Sequence, residues 1–236
     1  MRIDKTTKKL LPITEPAARA AAAEYLSRGG AQHFYFRGKR ITAFTFRRDV
    51  LKPLLEIDFS ELFLMLVLTG DKRTPSKEHL DLVIGPRVED YVLMDKLIIS
   101  VDPPYTDSVT FAEDSALKGF GKAITPEELE RMHGIFLLTI TDDILYSTHR
   151  YDKIRGYTLG LNDLTLLALR EEIDNSNEDD LYLFIPVVRP VNPQINSPFD
   201  RDYLSIAVAR MGADGKVISY ITEYCLPCPS ACPSNF

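Results

Sequence analysis

All three cysteines of the chain, Cys225, Cys228 and Cys232, stand in its last twelve residues, CLPCPSACPSNF. Thiolates at such short spacing can share one zinc ion, because one turn of backbone brings two sulfurs together. A closed zinc site takes four ligands, however, and His33, His79, His133 and His149 are all remote in sequence. The Cys-x2-Cys-x3-Cys-Pro spacing also matches the end of a ferredoxin run without its first cysteine. A thioredoxin-like role for Cys225-Leu-Pro-Cys228 fails on mechanism. It needs a helix N-terminus to stabilise the thiolate, and prolines at 227, 229 and 233 deny one. The alternatives left open are a metal or thiol site, a partner-facing role, and a proline-stiffened tail with no specific chemistry.

A second candidate is basic. Between Arg28 and Lys52 stand Arg37, Lys39, Arg40, Arg47 and Arg48 with a single acid, Asp49, and His33, Phe34, Tyr35 and Phe36 lie among them. Cations interleaved with aromatics can hold an anion, or a phosphate backbone with stacked bases. The plainer alternative is that alternation buries the rings and leaves the arginines solvating the other face. Two polar runs read more simply. REEIDNSNEDD (170–180) has six carboxylates but lacks the glycine and the final glutamate of a calcium loop, and it reads as a solvated loop. TITDDILYSTHRYD (139–152) offers Asp142, Asp143, Ser147, His149 and Asp152 for acid–base work. No nucleophile elbow, zinc motif or phosphate loop accompanies them, and a turn is the better reading.

The elements that would position these groups are alternately helical and extended. TEPAARAAAAEYLSRGG (14–30) predicts a helix with Thr14 as N-cap, Pro16 in the first turn and Gly29-Gly30 as its stop. QHFYF (32–36) and ITAFTF (41–46) predict a hairpin about RGKR (37–40). DVLKPLLE (49–56) is a short helix, or two turns broken near Pro53. ELFLMLVL (61–68) and HLDLVIG (79–85) are strands, and the second half of 86–123 is a connector ending in GFGKA. YLSIAVARM (203–211) and VISYITEY (217–224) form a hairpin about GADGK, with the cysteine tail hanging from its end.

Several of these pieces recur in order. ITEP (13–16) is echoed by ITPE (124–127), FTFRRDVLKPLL (44–55) by YTLGLNDLTLLA (157–168), LFLMLVL (62–68) by LYLFIPV (181–187), and HLDLVIG (79–85) by YLSIAVA (203–209). The second echo sets Leu51 against Leu164 and Leu54 against Leu167. The offsets grow steadily, 111, 113, 119 and 124, as loop insertions would make them. The reading is a diverged tandem duplication of one α+β unit. Cys228-Pro-Ser-Ala-Cys232, the Gly-Ala-Asp-Gly-Lys turn before it and the ITEPAA and ITPEE starts resemble a group of short bacterial proteins. Those proteins open with an Ile-Thr-x-x-Glu-Ala-like helix and end in Cys-Pro-x-x-Cys. The resemblance implies two such units fused, with only the second keeping the cysteine ending. That group has no established activity, so the resemblance implies no function.

Composition bounds the rest. The chain of 236 residues is 45% hydrophobic and 26% charged, the profile of a soluble globular protein with a real core. No run approaches the ~18 apolar residues of a membrane span, and no apolar stretch of a signal peptide follows the basic N-terminus. Cytoplasmic, reducing surroundings are the expectation. Net charge is −6, yet residues 1–56 carry twelve Lys/Arg against five Asp/Glu, a balance of +7 that leaves −13 on the remainder. Such asymmetry suits a protein partner or self-association, whereas a pI near 5.3 argues against nucleic acid. The sequence therefore predicts an α+β fold, mainly antiparallel sheet with a few helices. Its units are 1–120 and 121–224, followed by the Cys/Pro-rich tail 225–236. The functional expectation is a non-catalytic cytoplasmic binding or assembly protein with no cofactor. A thiol- or zinc-dependent tail is the alternative, and nucleic-acid binding through the hairpin region 28–52 the weaker one.

Overall fold

The computed structural model describes residues 13–70, 78–101, 103–118, 126–139, 141–146, 153–159, 163–189, 202–221 and 226–227. The chain opens with helix α1 (Glu15–Arg28) and a small hairpin, β1 (Tyr35–Phe36) and β2 (Lys39–Arg40). Strand β3 (Phe44–Arg47), helix α2 (Arg48–Leu55) and the long strands β4 (Glu61–Thr69) and β5 (His79–Val88) follow. Short strands β6 (Tyr91–Val92) and β7 (Ile98–Ile99) lead to β8 (Phe111–Lys118), helix α3 (Pro126–Thr139) and β9 (Gly156–Leu159). Helix α4 (Asp163–Asp174), strands β10 (Leu181–Arg189), β11 (Tyr203–Met211) and β12 (Val217–Ile221), and the two-residue β13 (Leu226–Pro227) complete the order. The fold is α+β with mainly antiparallel sheet.

Besides the small hairpin there are two sheets. One runs β3-β10-β11-β12-β8, antiparallel except for the β12–β8 pair. The other runs β13-β9-β4-β5-β6, with β7 also on β5. The pairing is reciprocal between the two stretches of chain. Strand β3 comes from the first stretch but joins β10, setting Phe46 opposite Tyr182 and Phe44 opposite Phe184. Strand β9 comes from the second but joins β4, setting Leu159 opposite Leu62 and Tyr157 opposite Leu64. Each long central strand thus has its hairpin neighbour on one edge and a borrowed strand on the other.

Alternation along the strands explains the apolar runs. One set of side chains, including Leu62, Leu64, Leu66, Tyr182, Phe184, Leu204 and Ile206, enters a single core cluster fed by both sheets. The opposite set on β4 (Phe63, Met65, Val67) lies under Ala18, Ala21 and Ala22 of α1. Its counterpart on β10 (Leu183, Ile185, Val187) lies under Leu129 and Met132 of α3. A strand buried on both faces must be apolar at every position, which is why ELFLMLVL and LYLFIPV show no alternation in sequence. Helix α2 packs on α4, burying Leu51, Leu54 and Leu55 at the same spacing as Leu169, Glu172 and Ile173.

Several expectations need correction. Of the residues 41–46 only Ile41 reaches back to 32–36, its amide donating to the Phe34 carbonyl at 2.8 Å, because Ala31–Phe34 forms a 3₁₀ turn and the paired strands are confined to Tyr35 opposite Arg40 and Phe36 opposite Lys39. Arg37 and Gly38 both take positive φ, 50° and 79°, the two-residue turn that matches strand twist. The second half of 86–123 is not all connector, since it holds β8. Gly29 does end α1, as expected, and does so in extended conformation. A side chain there would sit 2.4 Å from the Tyr25 ring and 2.7 Å from its carbonyl oxygen. The helix end is satisfied by Lys153, whose ammonium donates to the carbonyls of Tyr25, Leu26 and Gly29 at 3.1, 3.2 and 2.7 Å. The match of Leu54 with Leu167 also fails, since Leu54 is buried and Leu167 is 54% exposed. Finally, Leu226 and Pro227 pair with Thr158 and Tyr157, so the stretch between the first two cysteines returns to a sheet edge.

The borrowed strand β9 depends on Gly156. A Cβ there would lie 2.3 Å from the Leu64 carbonyl oxygen and 3.0 Å from the Phe63 ring. Gly156→Ala is expected to cost at least ~2 kcal/mol in urea unfolding, because the two backbones must part. A loss below ~0.5 kcal/mol would show that this close pairing does not support the fold.

Candidate functional site

The β1–β2 hairpin projects a cationic tip from a well-anchored root. At the root, the Gly30 amide donates to His33 Nδ1 at 3.0 Å and the Ala31 amide to Asp142 Oδ1 at 2.7 Å. Arg28 is held by Glu78 at 2.5 and 2.7 Å and by Glu24 at 2.6 Å. Phe34 is fully buried, edge-on to Phe136 at 5.1 Å, and Phe36 meets the His79 ring at 4.9 Å. Tyr35 stays 39% exposed. The rings therefore divide as alternation requires, with Phe34 inward and Tyr35 outward.

The five candidate anion-binding residues fall into two groups. Arg47 is tied to Asp49, and Arg48 Nε donates to the Ile173 carbonyl at 2.9 Å, capping the end of α4. Arg37, Lys39 and Arg40 are different: among the described residues they make no ion pair. Arg37 and Lys39 are exposed, with the Arg37 guanidinium lying over the Phe36 ring at 5.0 Å. Arg40 lies over Tyr35 at 4.6 Å and Phe136 at 5.7 Å, and its Nη1 is buried with no hydrogen-bond acceptor. Aromatic faces stabilise these cations partially, and leave their N–H groups to be satisfied from outside.

Elsewhere the structure redistributes the polar candidates. Cys225, Cys228 and Cys232 lie outside the described residues, as do Ser147, His149 and Asp152. Asp142 accepts from the Ala31 amide and so anchors the hairpin root. No group of three or more His, Cys, Asp or Glu side chains among the described residues is arranged to hold a metal. The acidic run is not wholly solvated, because Asp180 is 1% and Glu172 7% exposed. Both bind Arg210, at 2.8 and 3.3 Å, and Ser219 donates to Glu172 at 2.5 Å. Sequence reading missed this network, for which the lone arginine in YLSIAVARM was the available signal. It also missed Asp81, 3% exposed, which accepts from Ser100 Oγ and from the Leu82 amide at 2.8 Å, with Thr69 and His79 beside it. Asp81 lines neither of two cavities found among the described residues, one beside α1 and one beside α3.

No family model matches the chain, and no curated protein or solved structure is detectably similar to it. No described helix is long and apolar enough to cross a membrane.

Two histidines set an acid limit on this arrangement. Burial lowers the pKa of His33 at the hairpin root and of His133 on α3, so both favour the neutral ring. A base whose folded pKa lies below its unfolded value, about 6.5, adds stability above that pH and loses it as pH falls through the folded values. The Glu78 carboxyl, held down by its Arg28 hydrogen bonds, loses its contribution only at lower pH. Thermal stability is therefore expected to fall as pH drops below about 6.5, and to fall less in a His33→Gln, His133→Gln double variant. An unchanged acid slope in that variant would assign the effect to other groups.

Proposed function

We propose that this protein is a non-catalytic binding protein, and that the β1–β2 hairpin is its contact surface for an acidic protein partner. The observation that carries the reading is the contrast in pairing. Arg28, Arg47, Lys52, Arg87 and Arg210 each have a carboxylate partner within the chain, whereas Arg37, Lys39 and Arg40 have none among the described residues. Carboxylates suit this tip better than nucleic acid does. Base stacking needs an open aromatic face, and here Arg40 covers Tyr35 while Arg37 covers Phe36. Three cations on a six-residue hairpin are also few for a phosphate track, and the net charge of −6 repels a long polyanion.

The reading predicts salt-sensitive binding of a fluorescent polyglutamate 20-mer, weakened about 5–10-fold in Arg37→Ala, Lys39→Ala, a double variant that removes only exposed side chains. Equal affinity of the variant would overturn the hairpin as the contact. Tighter binding of a 20-mer oligothymidylate than of polyglutamate would replace the acidic protein partner with nucleic acid.

A second reading gives Cys225, Cys228 and Cys232 a metal or thiol role. Its support is the pairing of Leu226 and Pro227 with β9, which anchors the segment between the first two cysteines. Protein purified under reducing conditions without chelator should then carry near-stoichiometric zinc with protected thiols. Three reactive thiols and no metal would dismiss the metal site.

We further propose that the chain is a tandem duplication. The support is the repeated order of helix, strand, helix and strand pair, with each covering helix on its own central strand. On buried positions the offsets become 113 for Phe44 and Tyr157, 118 for Leu51 and Leu169, 120 for Leu62 and Tyr182, and 124 for Leu80 and Leu204. They still rise in order.

A further inference from the structure

A cleft of about 430 Å³ opens between α3 and the start of β8, lined by Val109, Phe111 and Leu137 and by Thr110, Glu130, His133 and Gly134. Its volume falls in the range of small-molecule sites, and its walls mix apolar surface with a few polar groups. Two features of α3 beside it have no structural explanation.

The first is a lone pair. His133 is only 7% exposed, and its Nδ1 lies 2.8 Å from the Pro186 carbonyl oxygen. A carbonyl can only accept, so Nδ1 carries the proton and Nε2 the lone pair. This bond has a clear purpose: β3 covers β10 only as far as Phe184, and the free carbonyl beyond it needs a donor. The purpose ends at Nδ1. Nε2 is buried and has no hydrogen-bond partner among the described residues, an unfavourable state for an acceptor removed from water.

The second is a glycine. Gly134 stands in the interior of α3, where glycine is less favourable than alanine because more backbone freedom is lost. Close packing does not require it, since a Cβ at this position would meet no atom within 4 Å. The space a side chain would take is left to the cleft.

We propose that this cleft binds a small, largely apolar molecule carrying a hydroxyl or amide N–H, which donates its hydrogen to His133 Nε2 while its body lies over Gly134 against Phe111 and Leu137. A donor is required because the bare nitrogen can only accept. A carboxylate or phosphate is disfavoured by that lone pair and by Glu130, which lines the same cleft. The site is separate from the hairpin surface and does not depend on it.

The test uses the full chain with two probes of like shape, 4-ethylphenol and 4-ethylanisole, the second lacking only the hydroxyl proton. Expected are saturable binding of 4-ethylphenol at a Kd of about 1 mM or below, and binding of 4-ethylanisole weaker by about tenfold, the worth of one hydrogen bond. In ¹⁵N spectra His133 should show the Nδ1–H tautomer, with its Nε2 signal moved by the phenol and not by the ether. Gly134→Leu should abolish phenol binding. Gly134→Ala should raise Tm by up to about 2–4 °C, showing that the glycine is not kept for packing. No saturable binding, equal affinity for the two probes, an Nε2–H tautomer, or undiminished binding in Gly134→Leu would each overturn the site.

Discussion

The structure depends on two strands being satisfied on every side. Strands β4 and β10 are buried on both faces and, over part of their length, hydrogen-bonded on both edges, and neither condition can be met by the stretch of chain around them alone. Each takes one edge partner from its own hairpin and the other from across the molecule. An unpaired backbone group inside the core would cost free energy comparable to a lost hydrogen bond, so the exchange of β3 and β9 is obligatory once the apolar runs are buried. Each fully buried Leu or Phe contributes about 1.5–3 kcal/mol, and these strands hold the densest supply. The outer helices follow from the same requirement. The second face of each central strand needs cover, and the alanine face of α1 brings its backbone close to β4.

That demand also explains the placement of buried charge. Arg87 leaves β5 paired with Glu61, and Arg210 stands near the end of β11 between Asp180 and Glu172. Both arginines occur where a hairpin strand runs out of the apolar core. A buried charge without its partner is strongly destabilising, so such pairs set where the strands can end as much as how firmly they hold. The hairpin β1–β2 lies outside this constraint. Its root is fixed by Asp142, His33 and the buried Phe34, while the cations of its tip have no carboxylate partner among the described residues. A rigid root with an uncommitted tip loses little entropy on binding, which favours a contact surface over a flexible arm.

The sequence was most legible where one rule decided the outcome. The long apolar strands, α1 and the Gly-Asp-Gly hairpin all follow from composition and turn chemistry, and each forms. What failed needed non-local information. QHFYF and ITAFTF each favour strand, but nothing local says that the second will find Leu181–Phe184 instead of its neighbour. Strand β8, FAEDSALK, carries no sustained apolar period, and its place beside β12 at a sheet edge is set by a parallel pairing that no local signal announces. The anion candidates show the same division. Spacing grouped five cations, and only the fold revealed that Arg47 and Arg48 already had acceptors. The unpartnered nitrogen of His133 was invisible, because a histidine in a helix gives no sign of which ring atom the next sheet will use.

The charge asymmetry can now be assigned in part. The excess of base near the start of the chain is partly consumed by acids from beyond residue 56: Arg28 takes Glu78, and Lys52 takes Asp174. Arg48 spends its donors on a carbonyl of α4. The Lys52 and Arg48 contacts run between the same two stretches of chain that exchange strands, so they reinforce the pairing that the core demands. They also account for why the asymmetry is not simply a binding signal. Most of the clustered positive charge serves cohesion, whereas at the hairpin tip Arg37 and Arg40 rest on aromatic rings and, with Lys39, have no carboxylate partner among the described residues.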